Sequence, residues 1–386
     1  MNGIWYYIIA FIFIWIVALV FKKPLTKVGV EIEPPMLMWK TTRLRTTIEK
    51  IANKSPQFWK LYMNVGIVVS FIAMIVMSYL LISALSTIKT VPSVSLVIPG
   101  VEVPGSPITV PLGYGLIALA TVLIVHEFSH GILARVEKIS IKSIGLMLLT
   151  ILPGAFVEPD EEELKKTSKL GRMRVYAAGS VANMSLALVA ILTTLLISNL
   201  VFPAVFYGNG MEIQTIIPNT PADHILEEGM IITSVNGEDV KDVKSYNAAF
   251  STLKPGENIS IITNNGEYNI LTSQNPQNNS RGYVGVSVSN HYEVKKEVSN
   301  ILGNSAPWVL VNLYDLFFWI FTLNLGIGLF NLLPIRMLDG GALFKDLLTF
   351  KLSEKIVNNL LNVTTIFFVV IIVFSLVYGL FKGVIG

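Results

Sequence analysis

The 386-residue chain has no cysteine, only four histidines, and only 14% charged residues. Without cysteine there are neither disulfides nor thiolate zinc sites, so any metal must be held by imidazole and carboxylate. The same absence leaves the redox compartment open. Scarce charge beside a hydrophobic content of 52% excludes an ordinary soluble protein. Several apolar runs exceed eighteen residues, which is long enough to cross a bilayer. The net charge of +3 is small, and no basic-aromatic stripe marks a nucleic-acid partner. The composition therefore points to a multi-pass α-helical membrane protein with the lipid bilayer as its surroundings.

Two of the four histidines stand in the stretch His126-Glu127-Phe128-Ser129-His130, inside an apolar run from Gly113 to Val136. On a helix, residues four apart lie one above the other, so His126 and His130 project from one face. Two imidazoles at that spacing can hold one zinc ion, with Glu127 beside them as a general base. A charge at the bilayer centre costs about 3 kcal/mol even on the lenient insertion scale, which favours chemistry over a pair of packing histidines. The other two, His224 and His291, fall in a polar segment.

In chain order the apolar runs predict about six spans: Ile4 to Phe21, Val65 to Leu85, Gly113 to Val136, Val175 to Leu200, Trp308 to Leu333 and Val357 to Phe381. The first is followed, not preceded, by its positive charge, so it reads as a retained span with its N-terminus outside. Lys22 to Lys60 reads as a loop rich in Lys and Arg, which marks the cytoplasmic face. Between Thr87 and Pro111, proline and alternation predict short edge strands or an interfacial loop. The short apolar stretch Ile139 to Phe156 starts with period-two alternation and is broken by Gly145, Pro153 and Gly154. It reads as a re-entrant β-hairpin, tolerable at membrane depth only where protein or trapped water satisfies its backbone. Glu158 to Arg174 is a charged, solvated segment.

From about residue 204 to 290 the composition turns polar, and no run could span a bilayer. Strands are expected near Met211, at Ile231 to Val235 before an Asn236-Gly237 turn, and at Ile259 to Thr263, Glu267 to Thr272 and Tyr283 to Val288. Helices are expected from Pro221 to Gly229 and from Ser245 to Leu253. About eighty residues suffice for one small α+β domain, placed outside the membrane by the span count. The organisation is then a membrane part at 1–203, the inserted domain at 204–290 and a second membrane part at 291–386.

A catalytic zinc site usually takes three protein ligands and leaves one position open. The third must be a carboxylate at the right depth, and Asp315, Glu158 and Asp339 are available. Asp339 sits near the cytoplasmic end of its run, as His130 does, with Pro334 and the pair Gly340-Gly341 expected to break the helix around it.

These features together resemble the site-2 protease family of intramembrane metalloproteases. They comprise an HExxH in a span, a Gly-x-x-x-Asn at Gly179 and Asn183, an Asn-x-x-Pro-x-x-x-x-Asp-Gly running from Asn331 through Pro334 to Asp339 and Gly340, and an inserted domain. The inserted domain resembles a PDZ module through Pro221-Ala222, the stretch Gly229 to Gly237 and Lys254-Pro255-Gly256. The resemblance implies one zinc ion per chain held by His126, His130 and Asp339, Glu127 as base, and Asn183 and Asn331 near the substrate or its oxyanion. It implies hydrolysis within transmembrane segments of membrane-protein substrates, in the cell membrane, with the active site toward the cytoplasmic side. The PDZ-like domain would be extracytoplasmic and could take peptide C-termini. Two positions depart from the pattern: Gly179-Ser180 stands where many members have Gly-Pro, and Pro334-Ile335-Arg336-Met337 replaces a more proline-rich run. The alternatives are a membrane-anchored gluzincin-type protease with Glu158 or Glu161 as third ligand, and a non-catalytic metal-binding scaffold with a PDZ-like module.

Overall fold

A computed structural model describes residues 4–42, 44–88, 94, 96–104, 106, 108–149 and 152–385. Five of its helices are long and apolar enough to cross a membrane: Pro56–Thr87, Leu112–Val136, Lys169–Val205, Ala306–Phe330 and Glu354–Phe381. The first of the six expected spans is α1 (Ile4–Val20), an apolar helix of 17 residues and so shorter than the other five. The chain divides into two compact units, residues 195–314 and the remainder on either side of them.

The N-terminal part continues with α2 (Lys22–Lys27), β1 (Val30–Glu33), β2 (Met36–Thr41), α3 (Arg45–Lys54), α4 (Pro56–Ser83) and α5 (Leu112–Val136). The Lys- and Arg-rich segment is thus not a loop. Val30 and Ile32 turn inward between Glu31 and Glu33, which gives β1 one buried face. Of the expected edge strands between Thr87 and Pro111, residues 89–93, 95, 105 and 107 lie outside the described residues; the others carry one isolated bridge, Ile98 to Val101. The expected hairpin is present as β3 (Ile141–Leu149) and β4 (Leu152–Pro159), paired antiparallel with Gly145 opposite Phe156. Residues 150 and 151 of its turn lie outside the described residues. β2 pairs with β3, so the hairpin belongs to a four-stranded sheet in the order β1-β2-β3-β4, with β4 at an edge.

After α6 (Glu161–Lys166), capped by the Asp160 carboxylate, comes α7 (Lys169–Leu196). Ile48, Ala52, Met63, Leu133, Ile141 and Ala178 join in one buried core that fixes α3, α4, α5, β3 and α7. Truncating a fully buried Leu or Ile in such a core costs about 2–5 kcal/mol. Charged contacts tie the same helices. Arg135 pairs with Glu49, joining α5 to α3. Arg174 reaches Glu137 at 2.8 Å and Asn64 at 2.8 Å, joining α7 to the end of α5 and to α4.

The second unit contains α8 (Phe202–Val205), β5 (Phe206–Ile216), β6 (Ile231–Val235), β7 (Glu238–Asp239), α9 (Val243–Ser251), β8 (Asn258–Thr263), β9 (Gly266–Leu271), β10 (Ser273–Asn275), β11 (Asn278–Tyr283), β12 (Val286–Val294) and α10 (Lys296–Leu302). Its main sheet runs β12-β5-β6-β8-β9, with β7 beside β6, around a core of Met211, Ile213, Ile232, Ile259, Ile261 and Ile270. The expected turn at Asn236-Gly237 is there, both residues at positive φ. The helix expected from Pro221 to Gly229 is not. The backbone makes one turn, with the Leu226 N–H on the Ala222 carbonyl at 3.0 Å, and His224 at φ +63° stops it from propagating. The last predicted strand is likewise split, β11 ending at Tyr283 and β12 starting at Val286.

The chain closes with α11 (Val309–Phe330), α12 (Asp339–Leu348) and α13 (Glu354–Ile385). Gly340 and Gly341 do not break a helix; they open one. A Cβ at Gly340 would overlap the Leu332 and Leu333 carbonyls, and one at Gly341 would overlap the Ile335 carbonyl. Only glycine lets the first turn of α12 pack so closely on the preceding chain.

Candidate metal centre

α5 carries His126 and His130 on one face, four residues apart, and α12 brings Asp339 to them as its first residue. A carboxylate in the first turn is also where the helix dipole favours negative charge. The two Nε2 atoms lie 3.2 Å apart. Asp339 Oδ2 lies 3.3 Å from His126 Nε2 and 3.4 Å from His130 Nε2. Zinc ligands at about 2.05 Å and tetrahedral angles are about 3.3 Å from one another, so the three donors have the spacing of one face of a zinc tetrahedron. Their side chains are 12%, 15% and 19% exposed. Imidazole and carboxylate suit zinc, and three donors leave a fourth position for water or substrate.

The chemistry of the rings agrees. His130 Nδ1 lies 2.7 Å from the Val175 carbonyl, which can only accept, so the proton sits on Nδ1 and Nε2 keeps its lone pair. Glu127 follows His126 and points to the same cleft, where its Oε2 accepts the Val157 N–H of the β4 edge at 3.0 Å. The cleft has a volume of about 420 Å³, with Tyr176, Asn331, Met337 and Leu338 in its walls.

Among the described residues, His126, His130 and Asp339 are the group able to share an ion. The other carboxylates considered lie elsewhere. Glu158 accepts the Ser143 hydroxyl at 2.6 Å, Glu161 is exposed on α6, and Asp315 lies near the start of α11. Asn331 lines the cleft, and its carbonyl accepts the Gly340 N–H at 2.8 Å. Asn183 is fully buried and faces His126 Nδ1 at 3.3 Å.

Sequence reasoning gave too little weight to α7. A Cβ on Gly179 would come within 2.5 Å of His130 Nε2 and 2.6 Å of His126 Nε2, so only glycine lets α7 lie against both rings. Ser180, where the family pattern often has proline, donates its hydroxyl to Asp339 Oδ2 at 3.3 Å. One end of the same helix grips α12. Arg172 makes a fork to Asp346 through Nε and Nη2, both at 2.9 Å, and Lys169 reaches the Thr349 carbonyl at 2.7 Å. The small-residue spacing from Gly179 to Asn183 signalled close packing, but its partner could not be read from it.

The family model for peptidase family M50 matches residues 114–373, well over half of the chain. The chain belongs to peptidase family M50, the site-2 protease family. Among curated proteins, this M50 chain is similar to "Uncharacterized protein MJ0971" of Methanocaldococcus jannaschii, 31% identical over 58% of this chain and 54% of that one. It is also similar to "Putative zinc metalloprotease CPE1693" of Clostridium perfringens, 22% identical over 63% of this chain and 89% of that one. The chain thus spans about half the length of the first relative. His126, His130 and Asp339 together offer two imidazoles and a carboxylate, a donor set that suits zinc.

Proposed function

We propose that this protein is a zinc endopeptidase that hydrolyses peptide bonds within the transmembrane segments of membrane-protein substrates. The observation that carries the reading is the triangle of His126, His130 and Asp339 donors, 3.2–3.4 Å on a side, built partly on a helix of membrane-spanning length. His126, His130 and Asp339 would hold the zinc ion, which would supply Lewis acidity toward a water and a peptide carbonyl. Glu127 takes the attacking water's proton and returns it to the leaving amine. Asn331, in the wall of the cleft, is a donor for the oxyanion. Val157 holds the Glu127 carboxylate beside the β4 edge, where a locally unwound substrate can pair as an added strand.

The reading is favoured over a loop-cutting protease with a glutamate third ligand because Asp339, not Glu158 or Glu161, stands beside both imidazoles. The basic segment from Lys22 to Lys60 supports a cytoplasmic position for the neighbouring end of α5. On that orientation residues 204–290 form an extracytoplasmic, PDZ-like module. Its support is a groove of about 330 Å³ between Tyr246 and Phe250 of α9 and the Gly282–Val286 loop, next to the edge strand β12. Arg281 in that groove offers a cation to a peptide C-terminus.

The test is cleavage of a single-span substrate in detergent or vesicles, with metal analysis alongside. Glu127→Gln is expected to abolish cleavage while metal remains, and Asp339→Ala to lose metal and activity together. Normal cleavage by Glu127→Gln would sink the mechanism. Full metal occupancy in Asp339→Ala would sink the ligand set.

A further inference from the structure

A neutral imidazole carries one proton, so a ring that offers Nε2 to a metal carries it on Nδ1 and needs an acceptor there. For His130 that acceptor is the Val175 carbonyl, 2.7 Å away. For His126 the polar group at Nδ1 is the side-chain amide of Asn183, 3.3 Å away on a residue with no solvent exposure. The amide turns its nitrogen to the ring, and among the described residues Asn183 Oδ1 is buried without a hydrogen-bond partner. A ring N–H and an amide NH₂ are both donors and cannot bond to each other. Half a turn of the amide exchanges oxygen and nitrogen at nearly the same positions. The oxygen then accepts the Nδ1–H, and the NH₂ takes the unpartnered place that the oxygen leaves.

We propose that Asn183 is a positioning residue of the metal centre, its amide oxygen accepting the His126 Nδ1–H and so fixing that ring as an Nε2 ligand. The opposite amide orientation would keep the proton on Nε2, the atom the metal needs. Asn183 lies two turns beyond Val175 on the same face of α7, so one helix holds the outer nitrogens of both imidazoles. One hold is a backbone carbonyl, which mutation cannot remove; the other is a side chain, which it can. This role rests on the reading of His126, His130 and Asp339 as a metal site. It acts through His126, in contrast to the substrate contact expected from the family resemblance.

The experiment titrates Co²⁺ against a competing chelator in the full-length protein in detergent, comparing wild type, Asn183→Leu and Asn183→Asp. Leucine fills the space and accepts nothing, so metal affinity is expected to fall about 10–100-fold, as for the loss of other ligand-orienting partners. Aspartate accepts the same proton, so its variant is expected to bind within a few-fold of wild type or tighter, with the wild-type cobalt absorption bands. Wild-type affinity in Asn183→Leu, with only the KM for substrate raised, would overturn the proposal in favour of a substrate contact. Equal losses in both variants would overturn it in favour of space filling. If the wild type itself took up no cobalt, the metal site would fall and this inference with it.

Discussion

Gly179→Ala adds one methyl group at the point where α7 touches the metal centre. The new Cβ would stand 2.5 Å from His130 Nε2 and 2.6 Å from His126 Nε2 and Cε1, against 3.4 Å for an ordinary contact. The shortfall is roughly 0.8–0.9 Å. Neither ring can simply retreat, because the Val175 carbonyl and the Asn183 amide hold them from the same helix that carries the methyl. Metal–ligand distances are tolerated to about 0.2 Å, so the required displacement is several times what coordination allows. Overpacking of this kind costs about 1–3 kcal/mol, and if all of it falls on metal binding the affinity drops about 5–150-fold. Alanine is meanwhile the better helix former by about 1 kcal/mol, so α7 itself should be no less helical. The assay is metal competition with a chelator, run beside far-UV circular dichroism and cleavage of a single-span substrate. The expected result is unchanged helicity with weakened metal binding and cleavage. Wild-type affinity and cleavage in Gly179→Ala would refute the packing of α7 against the rings.

Two further outcomes test the frame around the centre. Arg172→Ala removes one half of the fork to Asp346, whose side chain is 9% exposed, and should cost about 3 kcal/mol, the lower end for breaking a buried pair since Arg172 is 17% exposed. The readout is a lower melting temperature together with weaker metal retention, because Asp346 sits two turns along α12 from Asp339; an unchanged melting curve would discount the clamp. In the second unit Asp242 caps α9 through the Ser245 N–H at 2.7 Å, in a reciprocal capping box. Asp242→Ala should weaken α9 by about 1 kcal/mol, seen as roughly fivefold faster amide exchange in that helix of the full-length protein. The Ser245 backbone and hydroxyl bonds hold the Asp242 carboxyl below its ordinary value of 3.8. Its contribution is therefore complete above that value and disappears as the pH falls through the lowered folded-state value. Protection of α9, taken relative to the intrinsic exchange rate at each pH, that stays constant between pH 5 and 2.5 would contradict this assignment of the cap.

The parts of the site that carry chemistry were legible because they depend on local spacing. Two histidines four apart in an apolar run share a helix face whatever surrounds them, and the alternation from Ile139 announced β3 before its partner was known. The strands at Val30 and Met36 were hidden because lysines and arginines on either side of them dominate the composition, although Val30 and Ile32 alternate with glutamates. Gly340 and Gly341 were misjudged for a different reason. Glycine marks equally a helix that stops and a helix start pressed against backbone, and only the nearby carbonyls of Leu332 and Ile335 decide between them. His224 shows the converse, a helix-like segment stopped by one residue whose left-handed backbone has no sequence signature.

The three candidate ligands come from α5 and α12, which are far apart in the chain with an entire folded unit between them in sequence. Two elements so related need a template to bring donor atoms within a few tenths of an ångström of a tetrahedral face. α7 has that position without contributing a ligand. Along one side it grips Asp346 with Arg172, receives His130 at Val175, leaves room for both rings at Gly179, bonds Asp339 through Ser180 and meets His126 at Asn183. Arg172, Val175, Gly179 and Asn183 recur at intervals of three and four residues, as one helix face requires, and Ser180 stands beside Gly179 at its border. On the proposed reading, changes on that face should act first on how tightly metal is held. Activity should then follow metal occupancy and recover when excess metal is supplied, whereas changes at Glu127 should leave occupancy intact and resist such rescue.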